Sequence, residues 1–296
     1  MRFHQAVAFL PTDQVLELGR AADGMGYAGV YVSDHIFYPR ELRSRYTYSP
    51  HEDGSPVWPP ETDWPDPWCL ISALAAITSN IELTTGVYVA PARDLFTVAK
   101  LVSTAAVISG NRVRLGVGAG WCREEFEATG QSFDDRGRRL DDMISALRAL
   151  WSGGWVEYHG SHYDVAPLQM NPAPTAPIPI YGGGHSVPAL RRAATRCDGW
   201  LCASAYTPDE ALHHLGRLHD HLKAAGRDGE PYTVYMALKA LPDRDLYLSM
   251  EDAGVTDLLC APWMFAQEQA GADPRSNLDA RIAATEKFAT DVIARM

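Results

Sequence analysis

The chain has 296 residues, of which 46% are hydrophobic and 21% charged, and this composition is ordinary for a globular protein. Its formal net charge of −11 argues against a nucleic-acid or anionic-membrane partner, because either would favour a basic face. No segment approaches the roughly 20 consecutive apolar residues that a membrane-spanning helix needs.

Short apolar or β-branched runs alternate with helical patterns, which predicts βα units around a parallel sheet. Strands are expected at residues 3–10, 29–33, 81–89, 112–117, 178–181, 199–203, 232–238 and 256–260. Helices are expected at residues 12–26, 67–79, 95–109, 135–151, 187–196, 209–225 and 278–295, with a short one ending near residue 254. Eight such units favour a closed (β/α)8 TIM barrel over an open doubly wound sheet. Such a barrel typically has about 250 residues, so residues 1–296 are expected to form one domain.

Two insertions interrupt this pattern. Residues 36–66, after the second strand, are rich in proline, tryptophan and tyrosine, and residues 155–165, before the fifth strand, alternate as a β-hairpin does. Loops that follow barrel strands build the active-site face, so the first insertion is expected to roof a substrate pocket. Its aromatic residues are equally compatible with simple packing and with the lining of a pocket for an apolar substrate.

The cysteines and the N-terminus bear on the cellular compartment. The five cysteines are dispersed and form no C-x-x-C pair, which is more typical of reduced thiols than of a disulfide framework. The first residues enter a strand pattern without the apolar run of a signal peptide. A cytoplasmic location is therefore expected.

The second predicted strand ends in the polar triplet Ser33-Asp34-His35. In a parallel barrel this position lies at the rim that carries the active site. Histidine titrates near neutral pH and suits proton transfer, so His35 is a candidate catalytic residue. The alternative is that Asp34 and His35 only stabilise the rim through hydrogen bonds.

Glycines lie near the ends of the next three strands. Gly86, between Thr85 and Val87, indicates either a bulge or the close approach of a ligand. The fourth strand continues as Gly116-Val117-Gly118-Ala119-Gly120, which differs from the G-x-G-x-x-G dinucleotide motif and leaves ligand approach and barrel packing as alternatives.

The fifth strand ends in Gly182-Gly183-Gly184-His185-Ser186. The glycines free backbone N–H groups, and Ser186 can cap the following helix, whose N-terminus attracts anions. This pattern favours a phosphate cradle over a flexible turn. No metal site is expected, because His213, His214, His219 and His221 are spaced as a solvated helix surface.

These motifs together resemble the luciferase-like monooxygenase superfamily, and most closely its branch of F420-dependent oxidoreductases. The resemblance covers nearly the whole chain in order. Its most specific part is the fourth-strand glycine segment, continued by Trp121 and by Glu124-Glu125-Phe126.

The resemblance implies a (β/α)8 barrel, usually dimeric, that binds reduced FMN or coenzyme F420 at its C-terminal face. It implies a cis peptide at Gly86-Val87 behind the cofactor ring, and His35 beside the ring. The residues that it assigns to cofactor binding are Asp34, Thr85, Gly86, Val87, Gly118, Ala119, Gly120, Gly182, Gly183, Gly184 and Ser186.

Ala119 departs from the family pattern. Some deazaflavin dehydrogenases of the superfamily carry a glutamate proton donor at the matching position, and flavin-using members often have an arginine near it. His35 is therefore the leading candidate for proton transfer, and F420 is expected rather than FMN. Two arginine groups could meet the anionic F420 tail, namely Arg40, Arg43 and Arg45, or Arg191 and Arg192.

The expected activity is hydride transfer between F420 and a small organic substrate. The alternatives are an FMN-dependent monooxygenase on the same barrel and a non-catalytic flavin-binding protein. A homodimer is expected from the resemblance and from the apolar helical segments at residues 70–77 and 98–108.

Overall fold

The structure is a computed structural model that describes residues 1–265 and 277–296. Its strands are β1 (Arg2–Ala6), β2 (Gly29–Val32), β3 (Glu82–Thr85), β4 (Val113–Val117), β5 (Val156–His159), β6 (Asp164–Leu168), β7 (Ile180–Gly183), β8 (Gly199–Tyr206), β9 (Thr233–Leu238) and β10 (Asp257–Cys260). Eight of them form a closed parallel barrel in the order β1-β10-β9-β8-β7-β4-β3-β2, and β5 and β6 form a separate antiparallel hairpin. The predicted (β/α)8 barrel is thus confirmed.

Helices surround the barrel. They are α1 (Thr12–Gly24), α2 (Pro67–Ile77), α3 (Leu95–Ile108), α4 (Arg123–Ala128), α5 (Arg136–Leu150), α6 (Val187–Arg196), α7 (Pro208–Ala224), α8 (Arg244–Asp252) and α9 (Leu278–Asp291). Local sequence explains several starts: Asp66, Asp94 and Ser186 cap the N-termini of α2, α3 and α6 through their side chains. Among the described residues, no helix is long and apolar enough to cross a membrane.

The ends of β1 and β3 differ most from the predicted ones, and one helix was missed. β1 ends at Ala6, not at residue 10, and Phe9 has a positive φ of 65° that is incompatible with a strand. β3 ends at Thr85, directly before the cis peptide bond that joins Gly86 and Val87. The short helix α4 was not predicted, because its six residues are fewer than two helical turns and show little periodicity.

Side chains fill the barrel interior. The rings of Tyr31, Tyr181 and Tyr235 pack there with Leu201, and all four residues are buried. At the N-terminal end, His4 lies 2.5 Å from a carboxylate oxygen of Asp257. The interior is therefore a packed core, and space for a ligand is left at the C-terminal ends of the strands.

Candidate active site

A cavity of about 1350 Å³ lies at the C-terminal end of the barrel. Its walls come from the segments that follow β2, β3, β4 and β7, and from the end of β8. Residues 43–48, Trp58 and Trp64 of the first insertion also line it. The volume exceeds the roughly 300–1,000 Å³ of ordinary ligand pockets and leaves room for a large cofactor beside a substrate.

His35 lines this cavity and is held from behind by Glu125. The Nδ1 atom of His35 lies 3.0 Å from Oε1 of Glu125, and the same oxygen accepts the backbone N–H of Ile36 at 2.7 Å. Glu125 is 1% exposed, so the pair is shielded from water. A carboxylate that accepts from Nδ1–H fixes the tautomer and leaves Nε2 for the cavity. No described residue bonds to Nε2.

Aromatic rings surround the imidazole. The ring centroids of Trp58, Trp64 and Trp121 lie 5.1, 4.8 and 5.6 Å from that of His35. Tyr46 contacts both Trp58 and Trp121, and Phe9 contacts Trp58 and Trp64. All of these rings line the cavity. They give His35 an apolar surrounding from which most water is excluded.

Hydrogen bonds to the Glu124 side chain connect the first insertion to α4. Its Oε1 accepts the backbone N–H groups of Arg43 at 2.6 Å and Ser44 at 3.1 Å. Burial by itself would raise the pKa of Glu124, but the hydrogen bonds from Ser44 and Arg43 outweigh it and lower the pKa to about 2. The two adjacent glutamates thus have different roles. Glu124 accepts hydrogen bonds from the first insertion, and Glu125 orients His35.

The attachment through Glu124 is expected to weaken in acid. A carboxylate whose pKa is depressed on folding contributes stability above its unfolded pKa of about 4.5, and this stability is lost as the pH falls towards about 2. Glu124→Gln is therefore expected to reduce the free energy of unfolding by about 1–3 kcal/mol at pH 7, and by progressively less towards pH 2. Urea denaturation at both pH values measures this. Glu127→Gln is the control, because Glu127 also pairs with Arg43 but is exposed. If Glu124→Gln lowered the free energy of unfolding equally at both pH values, the assignment would be contradicted.

Asp34 is a buried residue of the cavity wall, and its carboxylate pairs with Arg93. Its Oδ2 and Oδ1 accept from Arg93 at 2.7 and 2.8 Å, and Oδ2 also accepts the backbone N–H of Val89 at 2.9 Å. Both oxygens are therefore occupied by protein donors. The geometry gives the carboxylate of Asp34 a supporting role in the cavity wall. This role corresponds to the alternative in which Asp34 only stabilises the rim through hydrogen bonds. A cofactor contact from Asp34 stays a prediction.

Val87 explains two of the predicted glycines. A Cβ atom added at Gly118 or at Gly183 would collide with the side chain of Val87, so both glycines make room for it. Gly86, Val87, Gly118 and Gly183 all line the cavity. The bond between Gly86 and Val87 is cis, as the resemblance implies. These residues form one side of the cavity, where a flat ring could lie against the Val87 side chain.

Two of the predicted cofactor ligands lie behind the wall. Thr85 is fully buried, and its hydroxyl bonds to the backbone carbonyl and N–H of Gly116 at 2.8 and 2.9 Å. Gly182 faces α6, where an added Cβ would meet Ala193. Neither residue lines the cavity. The geometry therefore gives no support to a direct cofactor contact from Thr85 or Gly182.

The segment after β7 combines the features of an anion site. Gly184 has a φ of 109°, which only glycine adopts readily, and Ser186 caps α6. Gly184 and Ser186 line the cavity, as do Ala119 and Gly120 after β4. Because a helix N-terminus carries unpaired N–H groups and partial positive charge, this side of the cavity suits a phosphate group.

Arg136, Arg138 and Arg191 line the cavity from α5 and α6, and none of them forms an ion pair with a described carboxylate. Arg136 donates to the carbonyl oxygens of Gly120 and Phe133, both at 2.9 Å. Arg138 and Arg191 are exposed. We refer to these three residues as the arginine rim. They bring positive charge to this side of the cavity in a chain of net charge −11.

The other arginines that the sequence suggested either donate to protein acceptors or lie outside the cavity. Arg43 bonds to Glu124 and Glu127, and Arg45 donates to the carbonyl oxygen of Glu52. Arg192 pairs with Asp141 at 2.5 Å and is buried, and Arg40 does not line the cavity. Of that set, only Arg191 belongs to the arginine rim.

His214 lies below the cavity wall, not on a solvated surface as expected. Its ring stacks on that of His185 at 4.8 Å, and His185 lies 2.8 Å from the hydroxyl of Tyr206. Burial lowers the pKa of His214 to about 4, with the neighbouring charges of His185 and Arg217 acting in the same direction. The described residues contain no group of three or more potential metal ligands.

Sequence reasoning did not identify Glu125, Arg136 and Arg138 as site residues. Glu125 was noted only as part of a motif, and its contact with His35 spans 90 positions. Arg136 and Arg138 lie at the start of α5, where charged residues are usually solvated. The order of the elements was the available signal for Arg136 and Arg138. Because α5 follows β4, its first residues could have been placed near the C-terminal rim of the barrel.

Comparison with known proteins agrees with this architecture. The luciferase-like monooxygenase family model matches residues 4–287. An uncharacterized protein of Mycobacterium tuberculosis is 35% identical over 296 residues and covers all of both chains. An F420-dependent glucose-6-phosphate dehydrogenase of Amycolatopsis mediterranei is 29% identical over 83% of this chain and 70% of its own length.

Solved structures share the fold at low sequence identity. A monooxygenase, RslO1 from Streptomyces bottropensis, superposes with a TM-score of 0.71 at 18% identity, covering 100% of this chain and 99% of its own. An F420-dependent secondary alcohol dehydrogenase in complex with an F420–acetone adduct reaches 0.72 at 15% identity, with the same coverage. Given the match of the family model to nearly its whole length, the chain belongs to the luciferase-like monooxygenase family.

Proposed function

We propose that this protein is an F420-dependent oxidoreductase that transfers a hydride between the deazaflavin and a small organic substrate. The observation that carries the proposal is one cavity that combines the His35–Glu125 pair with the arginine rim. Bound deazaflavin supplies two-electron hydride chemistry. The side chains must then align the substrate and handle one proton.

The residues of the cavity fit such a cofactor. The cis Gly86-Val87 segment offers a flat apolar surface for a ring, and Gly118, Ala119 and Gly120 line the same cavity. Gly183, Gly184 and Ser186 would receive the phosphate at the N-terminus of α6. The arginine rim would receive the anionic lactyl-glutamate tail, which FMN lacks.

His35 is the residue that we propose to move the proton. Its Nε2 is available to a substrate oxygen, because Nδ1 is held by Glu125. The surrounding tryptophans limit access of water, which strengthens hydrogen bonds inside the cavity. Ala119 has no titratable side chain, so it leaves this task to His35.

The cofactor preference is tested by anaerobic equilibrium titration with F420 and with FMN at low and moderate salt. We expect F420 to bind more tightly, and its affinity to fall with salt because charged rim contacts are screened. Arg138→Ala and Arg191→Ala are each expected to weaken F420 binding up to about 5-fold, the effect of an exposed charge pair, and to affect FMN less. Arg20→Ala is the matched control, because Arg20 pairs with Glu17 on α1. Tighter FMN binding at both salt concentrations would overturn the assignment.

The second candidate is an FMN-dependent monooxygenase. The enclosing aromatic rings around His35 favour it, because an oxygen-activating site must exclude water. Oxygen consumption coupled to turnover would identify this activity. Tight cofactor binding without turnover would instead indicate a non-catalytic flavin-binding protein.

We also propose a homodimer formed through α3. This helix leaves Phe96, Leu101, Val107 and Ile108 exposed, and exposed apolar groups of this kind mark interfaces. Light scattering at micromolar concentration is expected to give twice the mass of the chain. Leu101→Glu is expected to shift the protein to monomer, whereas Leu212→Glu on α7 is not; a monomeric parent protein would contradict the proposal.

The five cysteines are all unpaired. Free thiols persist in reducing compartments. We therefore propose a cytoplasmic location.

A further inference from the structure

The aromatic side chains around His35 limit which substrates the cavity can bind. We define the aromatic cluster as Phe9, Tyr46, Trp58, Trp64 and Trp121, all of which line the cavity. The rings contact one another mostly edge to face, with centroid distances of 5.0 Å for Tyr46–Trp58 and 5.3 Å for Trp58–Trp64. A ligand that reaches His35 must therefore contact several aromatic rings.

The arginine side chains near the cluster already donate to protein acceptors. Arg43 and Arg45 line the cavity, but Arg43 is paired with Glu124 and Glu127, and Arg45 donates to the carbonyl oxygen of Glu52. The carboxyl group closest to His35 is that of Glu125, which is buried. An anionic substrate group placed at His35 would thus meet a buried carboxyl group, and the guanidinium groups of Arg43 and Arg45 already donate to other acceptors.

The polar groups that the cluster does offer are few. They are Nε2 of His35, the hydroxyl of Tyr46 and the indole N–H of Trp64, none of which bonds to a described residue. Burial raises the pKa of Tyr46 to about 12, so its hydroxyl stays protonated and can donate. These groups suit one alcohol or carbonyl oxygen, not a phosphate or a carboxylate.

We infer that the substrate is an uncharged, largely apolar molecule that presents a single alcohol or carbonyl oxygen to His35. The inference rests on the proposed function for the role of His35. The arginine rim follows β4 and β7, whereas the cluster comes mainly from the first insertion and from the loop after β1. The cavity therefore has separate surfaces for the anionic part of a cofactor and for an apolar substrate.

Isothermal titration calorimetry of the full chain loaded with FMN or F420 tests this inference, because the bound cofactor then occupies the proposed phosphate site at α6. The probes are 2-adamantanol, 2-adamantyl phosphate and glucose 6-phosphate. We expect 2-adamantanol to bind at least about 10-fold more tightly than either phosphate, because it buries apolar area without desolvating a charge. Equal or tighter binding of a phosphate, or no binding of 2-adamantanol, overturns the inference.

Variants locate the binding site. Trp64→Ala and Trp121→Ala are each expected to weaken 2-adamantanol binding about 10-fold, the effect of losing one large aromatic contact. Trp155→Ala is the control, because Trp155 is 75% exposed on the hairpin and outside the cavity. Circular dichroism identifies any variant that fails to fold, and the other tryptophan variant then decides. Unchanged affinity in the folded variants contradicts the inference, and since the probes need no particular cofactor, this outcome is independent of the F420 titration.

Discussion

Replacement of His35 by alanine is expected to slow the chemical step by roughly 10²–10⁴-fold, which is the usual contribution of general acid–base catalysis. The imidazole lines the cavity beside the aromatic cluster, and Glu125 fixes its orientation. Cofactor affinity is expected to change little, because the predicted phosphate site lies at α6. Single-turnover kinetics across a range of pH measures the step, and equilibrium titration measures the affinity.

Glu125→Gln separates the proton-transfer role of His35 from a structural one. Glutamine can still accept from Nδ1–H but carries no charge, so the variant is expected to fold and to change the pH–rate profile. His35→Ala is expected to remove the corresponding limb of the profile. His213→Ala is the control, since His213 is exposed on α7. An unchanged single-turnover rate across the pH range for His35→Ala would exclude His35, and Tyr46, which also lines the cavity, would be the next residue to test.

The barrel was predictable because strand and helix periods are local properties of the sequence. The strand ends were less predictable, because they depend on backbone conformations such as the positive φ of Phe9 and the cis bond after Gly86. For the glycines the sequence left two roles open, the close approach of a ligand and packing of the barrel. At Gly118 and Gly183 the group that approaches is the Val87 side chain, and this packing alternative could not be excluded from spacing alone.

The distribution of charge shows a second limit of sequence reasoning. The insertion arginines Arg43 and Arg45 were as plausible for an anionic tail as Arg191 was. The structure pairs Arg43 with Glu124 and Glu127, which lie more than 80 positions away. Whether an arginine is free depends on which carboxylates the fold brings beside it, and a sequence without contacts does not contain that information.

Asp34→Ala is expected to be the most destabilising substitution at the site, with a loss of about 3–5 kcal/mol in the free energy of unfolding. The Asp34 side chain is fully buried, and that of Arg93 is 16% exposed. Removal of the carboxylate leaves the guanidinium without its ion-pair partner in a region of low polarity. It also leaves the backbone N–H of Val89 without its acceptor. Urea denaturation of the purified variant measures the loss.

Two further variants identify the cause of that loss. Asp134→Ala removes the partner of Arg123 in an exposed pair and is expected to cost no more than about 1 kcal/mol. Arg93→Met in the Asp34→Ala background removes the unpaired charge and is expected to restore part of the stability, because replacing both members of a buried pair by apolar groups is often nearly neutral. If Asp34→Ala costs no more than Asp134→Ala, the ion pair does not stabilise the segment after β3. If the double variant is no more stable than the single one, the loss comes from the Val89 hydrogen bond instead of from the buried charge.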